Sequence, residues 1–306
     1  MRGRSLAIWR IAKRPGTGVL PNNPVGGRIS SDPTRAWVKI EGKQARGKPL
    51  QDTEGRATVA AAVDVSVIVP TYRERACLER LDAPLLAALR PFPHEIVVVD
   101  DSSPDGTGDW VLERERSGAP YRLLSRPQKS GLASAVIDGL RASRGDCLVV
   151  MDGDGSHPPE LIPELVAPIR GGRAEFVLAS RHRPGGSDPG LVGVRRTVSW
   201  GATLLSRPLT RVTDPMSGFF ALDRRILARG QLAPIGYKIG LEILVKCRPS
   251  PVAEVPLVFR PRIAGESKLG AHEFVLYLRH LERLYAWRAH AYGRRPGAAS
   301  SAPPTP

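Results

Sequence analysis

Short apolar runs alternate with stretches of helical spacing from Asp64 to about residue 181. The apolar runs are rich in β-branched residues and end at polar residues, which is typical of buried β-strands. The predicted strands cover residues 65–70, 95–100, 121–125, 146–152 and 174–181, and the predicted helices cover residues 75–90, 108–116, 131–145 and 159–172. This alternation predicts a Rossmann-like α/β fold, in which a mostly parallel sheet carries helices on both faces. Pro84 lies inside the first helix, so we expect it to kink or split that helix.

The ordered pattern occupies the middle of a chain of 306 residues with a net charge of +15. Residues 1–63 contain 12 Lys and Arg but 4 Asp and Glu, are rich in Gly and Pro, and lack apolar periodicity, which predicts a disordered basic extension. The extension is either a solubilising leader or an arm attracted to an anionic membrane surface. Nucleic acid is not an expected partner, because no aromatic residues are interleaved with the basic ones. Residues 64–290 form the predicted globular domain, and residues 291–306 form a predicted disordered tail.

Three cysteines stand far apart and form no CxxC pair. This pattern favours neither a disulfide framework nor a zinc site, and it fits a reducing compartment. No run of 18 apolar residues occurs, so no membrane-spanning segment is expected, and the N-terminal apolar stretch is too short for a secretory signal.

Polar side chains follow four of the predicted strands at the point where each strand ends. The first strand runs into Pro70 to Glu74, the second into Asp101, the fourth into Asp152 to Asp154, and the fifth into Arg181. Because ligands of open α/β sheets bind beyond the carboxyl ends of the strands, we expect one site at this edge. The glycine-rich fingerprints of dinucleotide-binding and P-loop proteins are absent from the sequence.

Two carboxylates, Asp152 and Asp154, flank Gly153 directly after a buried strand. Like charges at such a spacing are costly unless a cation lies between them, and carboxylate oxygens suit Mg²⁺ or Mn²⁺. The turn is therefore a candidate metal–diphosphate site, and a solvated turn is the alternative. We interpret His157 as a structural neighbour of the loop rather than a ligand. Asp101 is a candidate acceptor of hydrogen bonds from a ribose or base, and the alternative role is turn chemistry.

Seven segments in order carry a more specific signal: VIVPTYRE, VVVDDSSPDGT, MDGDGSHPP, ASRHRPGG, TDPMSGFFAL, GYKIGLEILVK and EVPLVFRPRIAGESKLG. Together they resemble the polyprenol-phosphate (dolichyl-phosphate) mannosyltransferases, which are inverting family 2 glycosyltransferases with the GT-A fold. The resemblance covers about residues 64–285. It implies that residues 64–290 are a GT-A catalytic domain that takes GDP-mannose, a divalent metal and a polyprenyl phosphate acceptor.

The resemblance also implies roles for individual residues. The nucleotide-sugar-binding positions are Pro70, Tyr72, Glu74, Val99, Asp101, Asp152, Gly153 and Arg181. Asp152 and Asp154 match the metal ligands, and Asp154, Arg262 and Lys268 match the catalytic positions. Three positions depart from the family pattern: Arg73 replaces a common Asn, Gly153 replaces the usual Ala, and Ser156 stands where relatives can carry a Gln ligand.

The implied chemistry is displacement at the anomeric carbon by a lipid phosphate. A phosphate monoester is already largely ionised at neutral pH, so no general base is required. Three alternatives stay open at this point. One is a glucosyltransferase that uses UDP-glucose, one is transfer to a saccharide hydroxyl with Asp214 as the base, and one is a non-catalytic nucleotide-sugar or membrane-binding protein.

A lipid acceptor requires contact with a membrane surface. Residues 272–292 carry Phe274, Leu278 and Tyr285 on an apolar stripe flanked by arginines, which suits an interfacial helix on the cytoplasmic face. A terminal helix packed against the core is the alternative, and a membrane-protein partner would equally bring the enzyme to its lipid.

Overall fold

The computed structural model describes residues 62–129, 131–190, 193–233, 235–262 and 271–293. Lys268 and the predicted disorder of residues 1–61 and 294–306 fall outside these ranges.

A seven-stranded sheet forms the centre of the fold, in the order β3-β2-β1-β4-β6-β5-β7. Its strands are β1 (Val65–Thr71), β2 (His94–Asp100), β3 (Tyr121–Ser125), β4 (Cys147–Val150), β5 (Phe176–Ser180), β6 (Phe220–Asp223) and β7 (Val252–Pro256). Strand β6 runs antiparallel to both of its neighbours, and all other pairings are parallel. The predicted mostly parallel sheet is confirmed.

Within the described ranges seven α-helices accompany the strands: α1 (Arg75–Leu89), α2 (Thr107–Arg116), α3 (Leu132–Ala142), α4 (Ile162–Arg170), α5 (Val194–Ser206), α6 (Ile239–Lys246) and α7 (Ala271–Gly293). A 3-10 turn at Pro159–Leu161 precedes α4, and another at Arg224–Arg229 follows β6. The predicted split of the first helix at Pro84 does not occur. Leu81, Leu85 and Leu89 are buried on one side of α1, and their packing offsets the backbone hydrogen bond that proline cannot donate.

Apolar side chains fill both sides of the sheet because successive residues of a strand point to opposite faces. Val67 and Val69 of β1 pack with α1, α2 and α4, whereas Ile68 packs with α3 and α6 on the other face. The sheet is therefore covered on both faces, as the sequence predicts.

The chain after β5 adds α5, β6 and β7, which the apolar pattern does not reveal, and α6, which agrees with the helical spacing around Glu242. The predicted terminal helix is present as α7 and includes residues 291–293, which had been assigned to the tail. Tyr277, Leu281 and Leu284 of α7 are buried against α5 and α6. None of the described helices is long and apolar enough to cross a membrane.

Candidate active site at the carboxyl edge of the sheet

The Asp152–Asp154 turn follows β4 and is held by short hydrogen bonds. The backbone N–H and the hydroxyl of Ser156 both donate to Oδ1 of Asp154, at 3.0 and 2.6 Å. The other oxygen, Oδ2, lies 2.9 Å from Nε of Arg262. The backbone N–H of Arg260 donates to the carbonyl of Ser156, which brings the segment that carries Arg262 against the turn. Asp154 is therefore a buried carboxylate paired with a cation from a distant part of the chain.

Gly153 packs closely against the residues at the end of the first strand. A Cβ at this position would come within 2.6 Å of Oε2 of Glu74 and 3.2 Å of the Thr71 side chain. The glycine thus lets the residues after β1 and the residues after β4 approach each other. Arg73, another departure from the family pattern, has a φ of 61°, in the left-handed region that Asn tolerates better than most residues.

The His157 side chain contacts the turn and is almost completely buried. The backbone N–H of Asp152 donates to Nδ1 of His157 at 2.9 Å. Burial lowers the pKa of His157, so the ring is neutral near pH 7. His157 is thus a neighbour of the turn, as the sequence predicts.

A cleft of about 510 Å³ opens above the turn. Seven of the predicted site residues line it: Pro70, Glu74, Asp152, Gly153, Asp154, Arg181 and Arg262. The ends of β1, β4 and β5 therefore meet at one site, as expected from the carboxyl-edge rule. Two lysines that were not predicted also line the cleft, Lys129 from the loop after β3 and Lys238 at the start of α6.

Three further predicted residues do not line this cleft among the described residues. Tyr72 lies beside it, with Nζ of Lys129 4.1 Å from its ring centroid. Asp101 is buried and accepts a 2.6 Å hydrogen bond from Nε of Arg126, whose Nη1 also contacts Asp138. Val99 is a fully buried core residue of β2, so its side chain is packed inside the domain.

Arg181 sits between two carboxylates. Its Nε and Nη2 donate to the two oxygens of Asp214 at 2.8 and 2.9 Å, and its Nη1 donates to Asp188 at 3.1 Å. Burial opposes ionisation of Asp214, but the hydrogen bonds and charge of Arg181 outweigh it and lower the pKa of this carboxyl. Asp214 is therefore a fully buried, ionised partner of Arg181.

Lys238 is the second buried cation of the cleft. Its Nζ donates to the carbonyl of Met216, and its ammonium faces Asp152, Asp214 and Arg181. Burial, together with the positive charge of Arg181, lowers its pKa to about 8. The sequence places Glu242 at helical spacing from both Lys238 and Lys246, and in the structure Glu242 pairs with Lys246 and also with His280.

A second cavity, of about 550 Å³, lies on the other side of Arg181. Its lining includes Arg181, Asp188, Ser199, Trp200, Leu204 and Arg207. Trp200 and Leu204 of α5 are 66% and 54% exposed. Arg181 is therefore shared by the cleft above Asp152 and Asp154 and by a second cavity that Trp200 and Leu204 border.

The donor set at the turn fits a divalent cation that shares its coordination with a substrate. Asp152 and Asp154 offer carboxylate oxygens at the cleft, and Asp152 is partly exposed toward it. Among the described residues no cluster of three or more His, Cys, Asp or Glu could enclose a metal by itself. Mg²⁺ is commonly bound by one or two carboxylates together with substrate phosphates, so two aspartates are a sufficient protein contribution.

Comparisons with known proteins agree with this geometry. Residues 66–230 match the model of glycosyl transferase family 2. The chain is 44% identical to the dolichol-phosphate mannosyltransferase of Pyrococcus furiosus over 228 residues. The match covers 73% of this chain and 64% of that protein, so the chain spans less than two thirds of this relative's length. It is 37% identical to the dolichol-phosphate mannosyltransferase of Saccharomyces cerevisiae over 240 residues, 74% of this chain and 89% of that protein.

A solved structure with a similar fold is glucosyl-3-phosphoglycerate synthase from Mycobacterium tuberculosis in complex with Mn²⁺, UDP and glucosyl-3-phosphoglycerate. It is 25% identical to the chain with a TM-score of 0.55, and the match covers 75% of this chain and 81% of that one. The predicted GT-A fold is thereby confirmed. The sheet, the Asp-Gly-Asp turn at its carboxyl edge and these relatives together place the chain in glycosyl transferase family 2, among the dolichol-phosphate mannosyltransferases.

Proposed function

We propose that this chain transfers a mannosyl group from GDP-mannose to the phosphate of a polyprenyl phosphate such as dolichyl phosphate. The observation that carries the proposal is the position of Arg181, which borders both the cleft above Asp152 and Asp154 and the cavity beside Trp200. Its Nη1 and Nη2 groups each have a second N–H besides the one that binds Asp188 or Asp214, so the guanidinium can still contact anionic groups in the two cavities. The relatives that bear the name dolichol-phosphate mannosyltransferase support the same reaction.

The reaction is a single displacement. A phosphate oxygen of the acceptor forms a bond to the anomeric carbon while the bond from that carbon to the diphosphate oxygen breaks, and the electron pair leaves with GDP. The acceptor phosphate has a second pKa of about 6, so its attacking oxygen carries no proton that must be removed. The residues of the site therefore have to orient two anions and reduce their repulsion, rather than accept a proton.

Cationic side chains supply this function. Arg181, Lys238 and Arg262 line the cleft, and Lys268 lies six positions beyond Arg262 in the sequence. Within the proposal, Arg262 and Lys268 approach the donor diphosphate and the incoming phosphate. Pro70, Tyr72, Glu74, Val99 and Asp101 belong to the segments that bind the nucleoside, with the Val99 contribution limited to its backbone.

The proposal includes a divalent cation, Mg²⁺ or Mn²⁺, held by Asp152 and Asp154. When bound, such an ion would stabilise the negative charge of the departing diphosphate. The complex of the M. tuberculosis synthase with Mn²⁺ and UDP supports this assignment for the fold.

The acceptor proposal implies contact with a membrane surface. Helix α5 exposes Val198, Trp200, Leu204 and Leu205, and α7, which contacts it through the Tyr285 hydroxyl and the Leu205 carbonyl, exposes Phe274, Val275 and Leu278. Exposed apolar side chains on two contacting helices are suited to the interface of a bilayer. We place these helices on the cytoplasmic leaflet, and the buried cysteine thiols of Cys77, Cys147 and Cys247 are compatible with a reducing compartment.

Transfer to a saccharide hydroxyl is the less favoured function. It requires a general base, and Asp214 was the candidate. Asp214 is fully buried, and both of its oxygens bind Arg181. A base must reach the proton that it removes, so this carboxylate is poorly placed for that role.

A panel of donors and acceptors tests the proposal. Purified full-length protein is incubated with radiolabelled GDP-mannose or UDP-glucose, with polyprenyl phosphate or the corresponding polyprenol, and with or without EDTA. We expect lipid-soluble product only with GDP-mannose, polyprenyl phosphate and divalent cation. Transfer to polyprenol at a similar rate would refute the phosphate acceptor, preference for UDP-glucose would refute the donor, and full activity in EDTA would refute the metal.

A further inference from the structure

The loop from Asp152 to His157 closes on itself through two internal contacts. At its far end Ser156 binds Asp154, and at its base the ring of His157 accepts the backbone N–H of Asp152 at 2.9 Å. The first contact fixes the Asp154 carboxylate, and the second fixes the main chain at Asp152. The direction in which the two carboxylates face is therefore set by side chains two and five residues away.

The His157 ring is itself immobilised by aromatic packing. It stacks on Phe219 with a centroid distance of 4.9 Å and an interplanar angle of 13°, and it meets the edge of Phe259 at 5.7 Å. Phe219 precedes β6, and Phe259 follows β7. The ring thus ties the Asp152 turn to two other elements of the sheet.

The hydrogen bond determines which nitrogen of His157 carries the proton. Because Nδ1 accepts the Asp152 N–H, the neutral ring has its proton on Nε2. Nε2 lies 3.8 Å from Oδ2 of Asp152, beyond a direct hydrogen bond but on the same side as this carboxylate. One residue therefore contacts the backbone of Asp152 and faces its carboxylate.

We propose that His157 is a positioning residue that orients the Asp152 and Asp154 carboxylates toward the diphosphate and its divalent cation. This inference rests on the proposed function of the Asp-Gly-Asp turn. His157 does not contact the cation or the sugar in this account. It acts through the Asp152 main chain, in the way that groups behind metal ligands set ligand orientation.

Two substitutions separate hydrogen bonding from packing. His157→Phe keeps an aromatic ring between Phe219 and Phe259 but removes the acceptor. His157→Asn removes the ring but places an amide oxygen near the position of Nδ1. If His157 acts by positioning Asp152, the Asn variant should bind Mn²⁺ more tightly than the Phe variant. If His157 only fills space, the Phe variant should bind Mn²⁺ more tightly than the Asn variant.

The main readout is Mn²⁺ binding to the full-length protein in the presence of GDP, followed by electron paramagnetic resonance. We expect His157→Phe to weaken Mn²⁺ binding by about 10- to 100-fold, the range seen when groups behind metal ligands are removed. His157→Asn should stay within about threefold of the unmodified protein, by the same reasoning. Phe219→Leu is the matched control, since it reduces the stacking without touching the hydrogen bond, and it should lower the melting temperature while leaving Mn²⁺ affinity unchanged.

The outcomes distinguish this inference from the proposed function. Failure of the unmodified protein to bind Mn²⁺ with GDP would overturn the metal site and the role of His157 together. Normal Mn²⁺ binding by His157→Phe would overturn the positioning role alone, and so would an equal loss in the Phe and Asn variants. Melting temperatures measured without metal identify any variant whose loss of Mn²⁺ binding reflects unfolding. The Phe219→Leu variant shows whether lost packing alone weakens Mn²⁺ binding. Weakened Mn²⁺ binding in this folded control would also overturn the inference.

Discussion

Asp214 holds Arg181 with both oxygens of its carboxylate, at 2.8 Å to Nε and 2.9 Å to Nη2. The pair is buried at the junction of the two cavities, and the Arg181 backbone N–H donates to the same carboxylate. The carboxylate therefore fixes the orientation of a guanidinium that borders both cavities.

Asp214→Asn should destabilise the protein. Removing one charge of a buried ion pair leaves the other without compensation and typically costs about 3–5 kcal/mol. Asp188→Asn is the matched control, because it weakens a single contact to the same guanidinium, and it should cost about 1–2 kcal/mol. Chemical denaturation of both variants measures the difference. Equal effects would show that the bidentate pair has no special role in stability.

The contribution of Asp214 to the free energy of unfolding should decrease at acidic pH. Arg181 lowers the pKa of Asp214 in the folded state, so the unfolded chain binds the proton more tightly. The stabilisation is therefore fully present above the unfolded pKa of about 3.9 and is lost as the pH falls through the folded pKa. The difference in unfolding free energy between Asp214→Asn and the unmodified protein should be constant from pH 5 to 7 and shrink at lower pH.

Nucleotide binding should weaken in alkaline solution because of Lys238. Its pKa is about 8, so the unliganded cleft loses a positive charge as the pH rises from 7 to 9.5. The dissociation constant of GDP, measured by calorimetry across this range, should increase in the unmodified protein. Lys238→Arg keeps its charge at these pH values and should show a flatter profile. Parallel pH profiles for the two proteins would show that Lys238 does not cause the pH dependence of GDP binding.

Lys268→Ala should lower turnover more than it weakens binding of the nucleotide-sugar. The proposed role of Lys268 is to reduce repulsion between nucleophile and leaving group, and truncating a close ionic contact costs roughly 2–5 kcal/mol. This corresponds to a decrease in kcat of about 10²-fold or more. Lys268→Arg should recover only part of the rate, because a planar fork replaces a compact ammonium. Unchanged kcat in the alanine variant would show that Lys268 has no catalytic role.

Charged substitutions on α5 should weaken binding to membranes. Trp200 and Leu204 are largely exposed apolar residues, and inserting each into a bilayer interface contributes about 1.5–3 kcal/mol. Trp200→Glu and Leu204→Glu should each reduce binding to anionic vesicles by about tenfold or more in sedimentation assays. Val252→Glu, at an exposed apolar position where β7 begins, is the control and should bind normally. Normal vesicle binding by both α5 variants would assign the membrane contact to another surface, and failure of the unmodified protein to bind vesicles would favour a membrane-protein partner.

The apolar pattern predicted the first five strands and the covered faces of the sheet, because buried parallel strands form continuous apolar runs such as Ile96 to Val99. Strand β6 escaped prediction because it has only four residues, Phe220–Asp223, and a run that short carries no information about direction. The rule that ligands lie beyond the carboxyl ends of strands correctly predicted that Asp152, Asp154 and Arg181 line one site.

The partners of these residues were not predictable from spacing. Asp214 lies 33 positions from Arg181, and Arg262 lies far from Asp154 in the chain. Lys238 had a plausible helical neighbour in Glu242, but tertiary packing turned it toward Met216 and the cleft. Local sequence establishes which residues stand at strand ends, whereas their pairing depends on loops that cross the edge of the sheet.

The measurement that tests the central claim most directly is the structure of the product formed from GDP-mannose and polyprenyl phosphate. Phosphorus and proton NMR of the purified product report whether the anomeric carbon is bonded to a phosphate oxygen and in which configuration. The account predicts a mannosyl phosphodiester of inverted, β configuration, formed together with one GDP. Free mannose, mannose on a hydroxyl group, or a phosphodiester of retained configuration would contradict it.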